Sequence, residues 1–325
     1  MGTAIRTKLA FFFLAFGTVT AYPAAAQNYP TKPLRIIVAS AAGGSADIAA
    51  RTLAGELSLQ LGKQVVVDNR PGASGIIGLE MLAHAAPDGY TLGYITTSFT
   101  TSPSLFLKLP YDSAKDFQPV IQTGSGANVL ALTPSLPVRS VKELIEQARA
   151  KPGGLSFGSA GIGSSQHLTM ELLKYMTNTN MLHVSYKGGP QAITDVISGQ
   201  VHIVCEFSSV MLPYIRSGRV NALGVTSLKR LAVLPELPTL DEAGIAGYEH
   251  TVWGGVSVPA RTPRDLVLRL NAEINKALKS PLVSKLIVDR GGTPMGGTPE
   301  QFTVLLRKET EKWGKVIKAA GINPQ

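Results

Sequence analysis

The sequence predicts an α/β fold with mostly parallel sheets, divided between two lobes that flank a cleft. Three observations predict it. Short β-branched runs alternate with helical periodicity along most of the chain. Several of those runs are apolar throughout, the pattern of strands covered on both faces. A strand, a glycine turn and a helix occur in the same order twice, around Gly43 and around Gly163. A helix start has free N–H groups and the positive end of its dipole, so each corner is a candidate anion cradle. An ordinary strand–turn–helix corner is the other reading of each.

Residues 1–26 read as an export signal. Arg6 and Lys8 form a charged start, Leu9 to Val19 an apolar stretch, and Ala24-Ala25-Ala26 a cleavage site before Gln27. The apolar stretch is short of the about 20 residues that a membrane span needs. Cleavage there leaves 29 basic and 22 acidic residues, a net charge of +7. The basic residues are scattered rather than clustered. That balance points weakly to acidic small solutes and away from nucleic acid. The mature chain is expected to be exported.

The first corner begins at Ile36-Ile37-Val38, a buried strand. Ser40 to Gly44 is a small-residue turn, and a helix starts at Ser45 with Ile48, Ala49, Leu53 and Leu57 as its apolar stripe. Asp47 can cap the first turn. Gln64 to Asp68 is a second strand, followed by a glycine-rich turn and a helix from Ile76 to Ala85. Tyr90 to Thr97 is a third strand, expected to lead into a polar loop at Ser98 to Ser102. Ligands of open α/β sheets bind at such carboxyl ends. Phe106 to Gln118 reads as a connection, and Asn128 to Leu132 as a strand. Ser140 and Glu143 make a capping box for a helix ending at Ala150.

The second corner is Leu155 to Ser159, the turn Ala160 to Ser165, and a helix from Gln166 to Met176 capped by Ser164 or Ser165. His183 to Tyr186 is the next strand. Pro190 opens a helix and Gly199 closes it. Val201 to Phe207 is a strand carrying Glu206, read either as a strand-end carboxylate in solvent or as a cleft group that accepts from a ligand. A helix through Ile215, the strand Asn221 to Thr226, a proline-punctuated connection, and the strand Val252 to Val258 follow. The tail is helical, with Trp313 as a core residue.

Cys205 is the only cysteine, so no internal disulfide is expected, and its apolar strand makes it a buried thiol. His202 and Cys205 face opposite sides of a strand, and the other histidines have no ligand spacing, so no metal and no cofactor are expected. No G-x-S-x-G elbow occurs; Gly163-Ser164-Ser165-Gln166-His167 fails at its last position, which argues against an exported hydrolase. His167 is expected to project from the helix surface or to reach the ligand. Neither nucleotide-binding glycine motif is present.

The chain resembles the Bug (Bordetella uptake gene) family of periplasmic solute receptors of the tripartite tricarboxylate transporter type. The resemblance covers essentially all of the mature chain. It rests on YPTKPLRIIV, GGSADIAAR, VVVDNRPGASGIIG, PDGYTLGY, LPYDSAKDFQPV, FGSAGIGSSQHL, VSYKGGPQAITDVISGQVHI, LPTLDEAGIAGYE and TPEQFTVLLRKETEKWGKVIKAAGI, in that order. It implies a type II periplasmic-binding-protein fold, a Venus flytrap of two α/β lobes that close over a small carboxylated solute and present it to a membrane permease. Lobe 1 would be residues 27–124 with 250–325, and lobe 2 residues 125–249. It implies a non-enzymatic protein, with a monomer expected.

The resemblance places two pincer loops at Ser40–Asp47 and Ser159–His167, holding a carboxylate through backbone groups and small hydroxyls rather than an arginine. The implied contacts are Ser40, Ala41, Ala42, Gly43, Gly44 and Asp47 from the first loop. From the second they are Ser159, Ala160, Gly161, Gly163, Ser164 and His167. Ser98 and Glu206 complete them. Relatives have an aromatic residue where this chain has Ser40, which leaves room for a bulkier carboxylate. A receptor that presents its ligand to a membrane sensor kinase has the same sequence features.

Overall fold

A computed structural model describes residues 29–319 and 321–324; the export signal read at residues 1–26 lies outside the described residues. The first lobe is built on the parallel strands β1 (Leu34–Val38), β2 (Val65–Asn69) and β3 (Thr91–Thr96), with β1 between the other two. Strand β4 (Phe117–Leu132) and strand β9 (Thr251–Pro259) extend this sheet antiparallel, and the short β10 (Gly292–Pro294) pairs with β4. The second lobe has the parallel strands β5 (Ser156–Ser159), β6 (Leu182–Ser185) and β7 (Ile203–Phe207), with β8 (Asn221–Val225) against β4.

Both faces of each sheet are covered, which accounts for the unbroken apolar runs. On β1, Leu34, Ile36 and Val38 enter the core that contains Leu53 and Leu57 of α1 (Ser45–Leu61) and Leu270 and Ile274 of α8 (Arg264–Lys279). Ile37 faces the other way, among Leu79 and Leu82 of α2 (Ile76–Ala83) and Phe302 and Leu306 of α10 (Pro299–Ala319). On β7, Ile203 and Cys205 enter one core and Val204 the other. The Cys205 thiol is fully buried.

Strand β4 is far longer than the Asn128–Leu132 strand expected from sequence. Its first part, with Pro119, Gly124 and Gly126, has poor strand propensity; pairing along β9 imposes the extended form, with register shifts at Pro119/Ile121 and Gln122/Gly124. Residues 117–127 pair with β9, and residues 128–132 pair with β7 and β8, so this strand passes from one lobe to the other. The return crossing precedes β9. Thr226 ties both: its Oγ1 accepts from Asn128 N at 2.9 Å and donates to His250 O at 2.8 Å. A third bridge is apolar, made by Leu105, Leu168, Trp313 and Ile317. Trp313 is therefore core, as expected.

The segment Ser98–Ser102, expected as a loop, is helical: α3 spans Thr97–Leu105. Serine and threonine weaken helices by competing for backbone groups. Here their hydroxyls bond back into the helix, Thr100 Oγ1 to Thr97 O at 2.9 Å and Ser102 Oγ to Ser98 O at 2.7 Å. Burial of Phe99 and Leu105 supplies the rest.

Candidate functional site: a cavity between the lobes

Chain direction determines what reaches the cleft. Each parallel strand runs toward it, and the helix that follows begins there. The helices concerned are α1, α3, α5 (Ser165–Thr177), α6 (Gly189–Ser198) and α7 (Ser208–Arg216). All five first turns contribute to the wall of one cavity of about 150 Å³ between the lobes. Ser45 and Ala46 represent α1 there, Ser98 α3, Ser165 and Gln166 α5, Gly189 α6 and Ser209 α7. First-turn N–H groups have no acceptor within their own helix. Five positive dipole ends at one cavity favour a negatively charged occupant.

The two glycine corners share a construction that the sequence did not reveal. Gly43 N donates to Asp47 Oδ2 at 2.8 Å, and Gly163 N donates to His167 Nδ1 at 3.2 Å. In each corner a side chain four residues on holds the turn. Gly43 and Gly163 have φ of +79° and +78°, a region costly for residues with a Cβ. Burial pushes the Asp47 carboxyl up, but the Gly43 N–H bond and Arg51, at 2.9 Å, outweigh it and hold the group below the usual range. Ser164 caps α5 by accepting from His167 N at 3.3 Å and donates to Gly161 O at 2.7 Å.

His167 does not project from the helix surface. It is 5% exposed and stacks on His183 with ring centroids 4.3 Å apart. Helix α5 lies under the second loop, so the imidazole fills the space behind it. Burial, His183 and Lys174 push its pKa down to about 3.

Of the residues expected at the site, Ser40, Ala41, Gly44, Ser98, Ala160, Ser164 and Glu206 line the cavity. Ala42, Gly43, Asp47, Ser159, Gly161, Gly163 and His167 are not on its wall; they shape the loops behind it. Ser40 Oγ is buried there with no hydrogen-bond partner. Glu206, whose sequence context allowed a solvent position, is 0% exposed. Its carboxyl accepts from Gln166 Nε2 at 2.9 Å and from Phe207 N at 2.8 Å, and burial holds its pKa above the usual range against both bonds. Trp253 is also on the wall, its Nε1 donating to Glu309 at 3.3 Å. Sequence reasoning missed Gln166, Gly188, Gly189 and Arg290. Gly188 and Gly189 stand within four residues of the end of β6, and Gln166 is in the first turn of α5, signals that could have found them; Arg290 has no such signal.

The lobes touch each other directly. Thr101 Oγ1 donates to Gly163 O at 2.8 Å. At Gly188, even one added carbon would stand 2.6 Å from Ala41 Cβ. The cleft is closed in this structure.

Comparison with known proteins gives this geometry its context. A family model described as "Tripartite tricarboxylate transporter family receptor" matches residues 49–322. Protein BugT of Bordetella pertussis is 35% identical over 311 residues, 95% of each chain. The structure of the periplasmic binding protein BugD superposes with a TM-score of 0.88 at 33% identity, covering 91% of this chain and all of that one. A structure of an R. palustris protein with adipate gives 0.89 at 36% identity, with the same coverage of both chains. The two-lobed α/β architecture is therefore that of periplasmic solute-binding proteins, and the chain belongs to the tripartite tricarboxylate transporter family of receptors.

Proposed function

We propose that this protein captures a small carboxylated solute between its lobes in the periplasm and delivers it to a membrane permease of the tripartite tricarboxylate type. The observation that carries the reading is the start of five helices at one cavity between the lobes. The adipate bound in a 36% identical relative supports it. In this reading the ligand carboxylate lies between the first turns of α1 and α5, with Ser40 and Ser98 as hydroxyl partners and Glu206 accepting from a ligand hydroxyl or amine. The protein acts as a monomer without a cofactor and returns its ligand chemically unchanged. Lobe 1 comprises residues 27–124 with 250–325, and lobe 2 residues 125–249; the change of partners along β4 at Ala127/Asn128 supports a boundary close to that position.

The test is a thermal-shift screen of carboxylic acids on the exported protein. A ligand at 100 times its dissociation constant adds about 2.7 kcal/mol of stability. The expected result is a raised Tm with one or a few acids, each recovered intact. A panel of acids that leaves Tm unchanged, or an acid consumed by the protein, would overturn the proposal.

A further inference from the structure

We propose that Glu206 is the binding site of a proton that enters with the ligand, so that an acid bringing no hydroxyl or amine donor is held as its anion plus one proton. This rests on the reading of the cavity as a carboxylate site and adds a second bound species to it.

Among the described residues on the cavity wall, Glu206 is the single acidic side chain, and it is fully buried. It leaves β7 on the same face as Val204, two residues earlier, which packs among the side chains of α6. The fit there is tight: a Cβ added at Gly189, the first residue of α6, would overlap Glu206 Oε2. Its hydrogen bonds come from two neutral donors, Gln166 Nε2 at 2.9 Å and Phe207 N at 2.8 Å. No ion pair of the described residues includes it. A buried carboxylate without a cation beside it is costly.

The elements packed around it supply no such cation. Cys205, its neighbour on β7, is a buried thiol that burial and Glu206 push up, so it stays neutral. On α5, His167 is held neutral and stacks on His183 behind the loop, and Glu171 pairs with Lys174. On α6, Asp195 accepts from Tyr186 OH, and on α7 the charged residue is Arg216 at its far end. Strands β4, β5 and β8 carry no charged residue. Arg290, the basic side chain of the cavity wall, has its Nη1 3.5 Å from Thr52 Oγ1 on α1.

An arriving anion sharpens the conflict. Its carboxylate lies at the first turn of α5, where Gln166 bonds Glu206 directly. Two carboxylates then share one cavity of about 150 Å³. A like charge at close range raises the proton affinity of its neighbour. Burial already holds Glu206 above the usual range, so Glu206 rather than the ligand takes the proton. The proton comes from solvent, one carboxyl oxygen becomes an O–H, and the ligand carboxylate accepts from it. A ligand hydroxyl or amine removes the need, because it donates to the charged carboxylate instead. Proton and anion then strengthen each other's binding, and affinity falls as pH rises.

The probe is adipate, whose polar groups are its two carboxylates. Calorimetric titration in phosphate and in Tris, whose heats of ionisation differ, counts the protons taken up on binding, and it is repeated from pH 6 to pH 9. Wild type is expected to take up about one proton within that range and to lose at least about tenfold in affinity across it. His167, His183 and His250, at about 3, about 4 and about 3, stay neutral throughout. Glu206→Gln keeps the shape and a donor but does not titrate. Once its Tm shows it folded, it is expected to bind adipate without proton uptake, with an affinity constant within twofold from pH 6 to pH 9. No uptake by wild type at any pH in the range overturns the proton site and leaves the carboxylate site standing. Uptake that persists in Glu206→Gln also overturns it, because the proton then belongs to another group. If wild type binds neither adipate nor any other straight-chain mono- or dicarboxylic acid, the carboxylate reading itself falls, and the proton site with it.

Discussion

Gly188→Val is expected to leave the protein folded and to weaken ligand binding about a hundredfold. The backbone at Gly188 is extended, with φ −178° and ψ 160°, which any residue adopts. The obstacle is across the cleft, where an added Cβ would stand 2.6 Å from Ala41 Cβ. The cost of the larger side chain therefore falls on the closed form and not on the fold of either lobe. Overpacking costs about 1–3 kcal/mol, and the two further carbons of valine place this change at the upper end. About 3 kcal/mol is about a hundredfold in affinity. Calorimetry gives the affinity, and thermal unfolding without ligand gives the control. Unchanged affinity would show that closure at Ala41 and Gly188 is not part of binding.

Acid is expected to destabilise the protein as pH falls below about 6.5. Burial, with His183 and Lys174, pushes the His167 pKa down to about 3; burial and Lys312 push His250 to about 3. Unfolded histidine titrates near 6.5. Between those values the unfolded chain binds protons that the folded chain refuses, so stability rises with pH. The full stability is present above about pH 6.5 and declines as pH falls toward 3. His183, held down to about 4 by burial and Lys174, behaves in the same way, so at pH 5 each of the three histidines costs about 2 kcal/mol, a loss of about 6 kcal/mol against a typical total of about 5–15. Urea midpoints measured from pH 7 to pH 4.5 test this, and His167→Gln should flatten the slope by about a third of that loss. A wild-type midpoint constant from pH 7 to pH 5 would contradict it.

Most of the fold was legible in the sequence because apolar runs and caps are local signals. The Ser140–Glu143 box sets the start of α4 (Val141–Ala150), with Glu143 N donating to Ser140 Oγ at 3.2 Å. Both glycine corners were visible for the same reason. What was not legible depends on partners distant in the chain. The first part of β4 is a strand only because β9, over 120 residues later, pairs with it. Helix α3 is made of weak formers and needs its tertiary packing. At the site, residue type identified Asp47 and His167 as polar groups near the turns but not the side on which they lie; both face the loop behind the cavity. Arg290 reaches the wall from the end of α9 (Pro281–Val288), which no local pattern ties to α1.

The central claim is that the cavity selects a negative charge through the helix starts around it. The most direct measurement is calorimetric titration of the best acid from the screen beside its primary amide, which keeps the shape and loses the charge. Each helix start contributes about 0.3–1 kcal/mol at an exposed site and up to about 2 when partly buried. Together the helix starts around the cavity predict an amide weaker by at least about tenfold, or about 1.4 kcal/mol. An amide that binds within threefold of its acid would contradict an anion site.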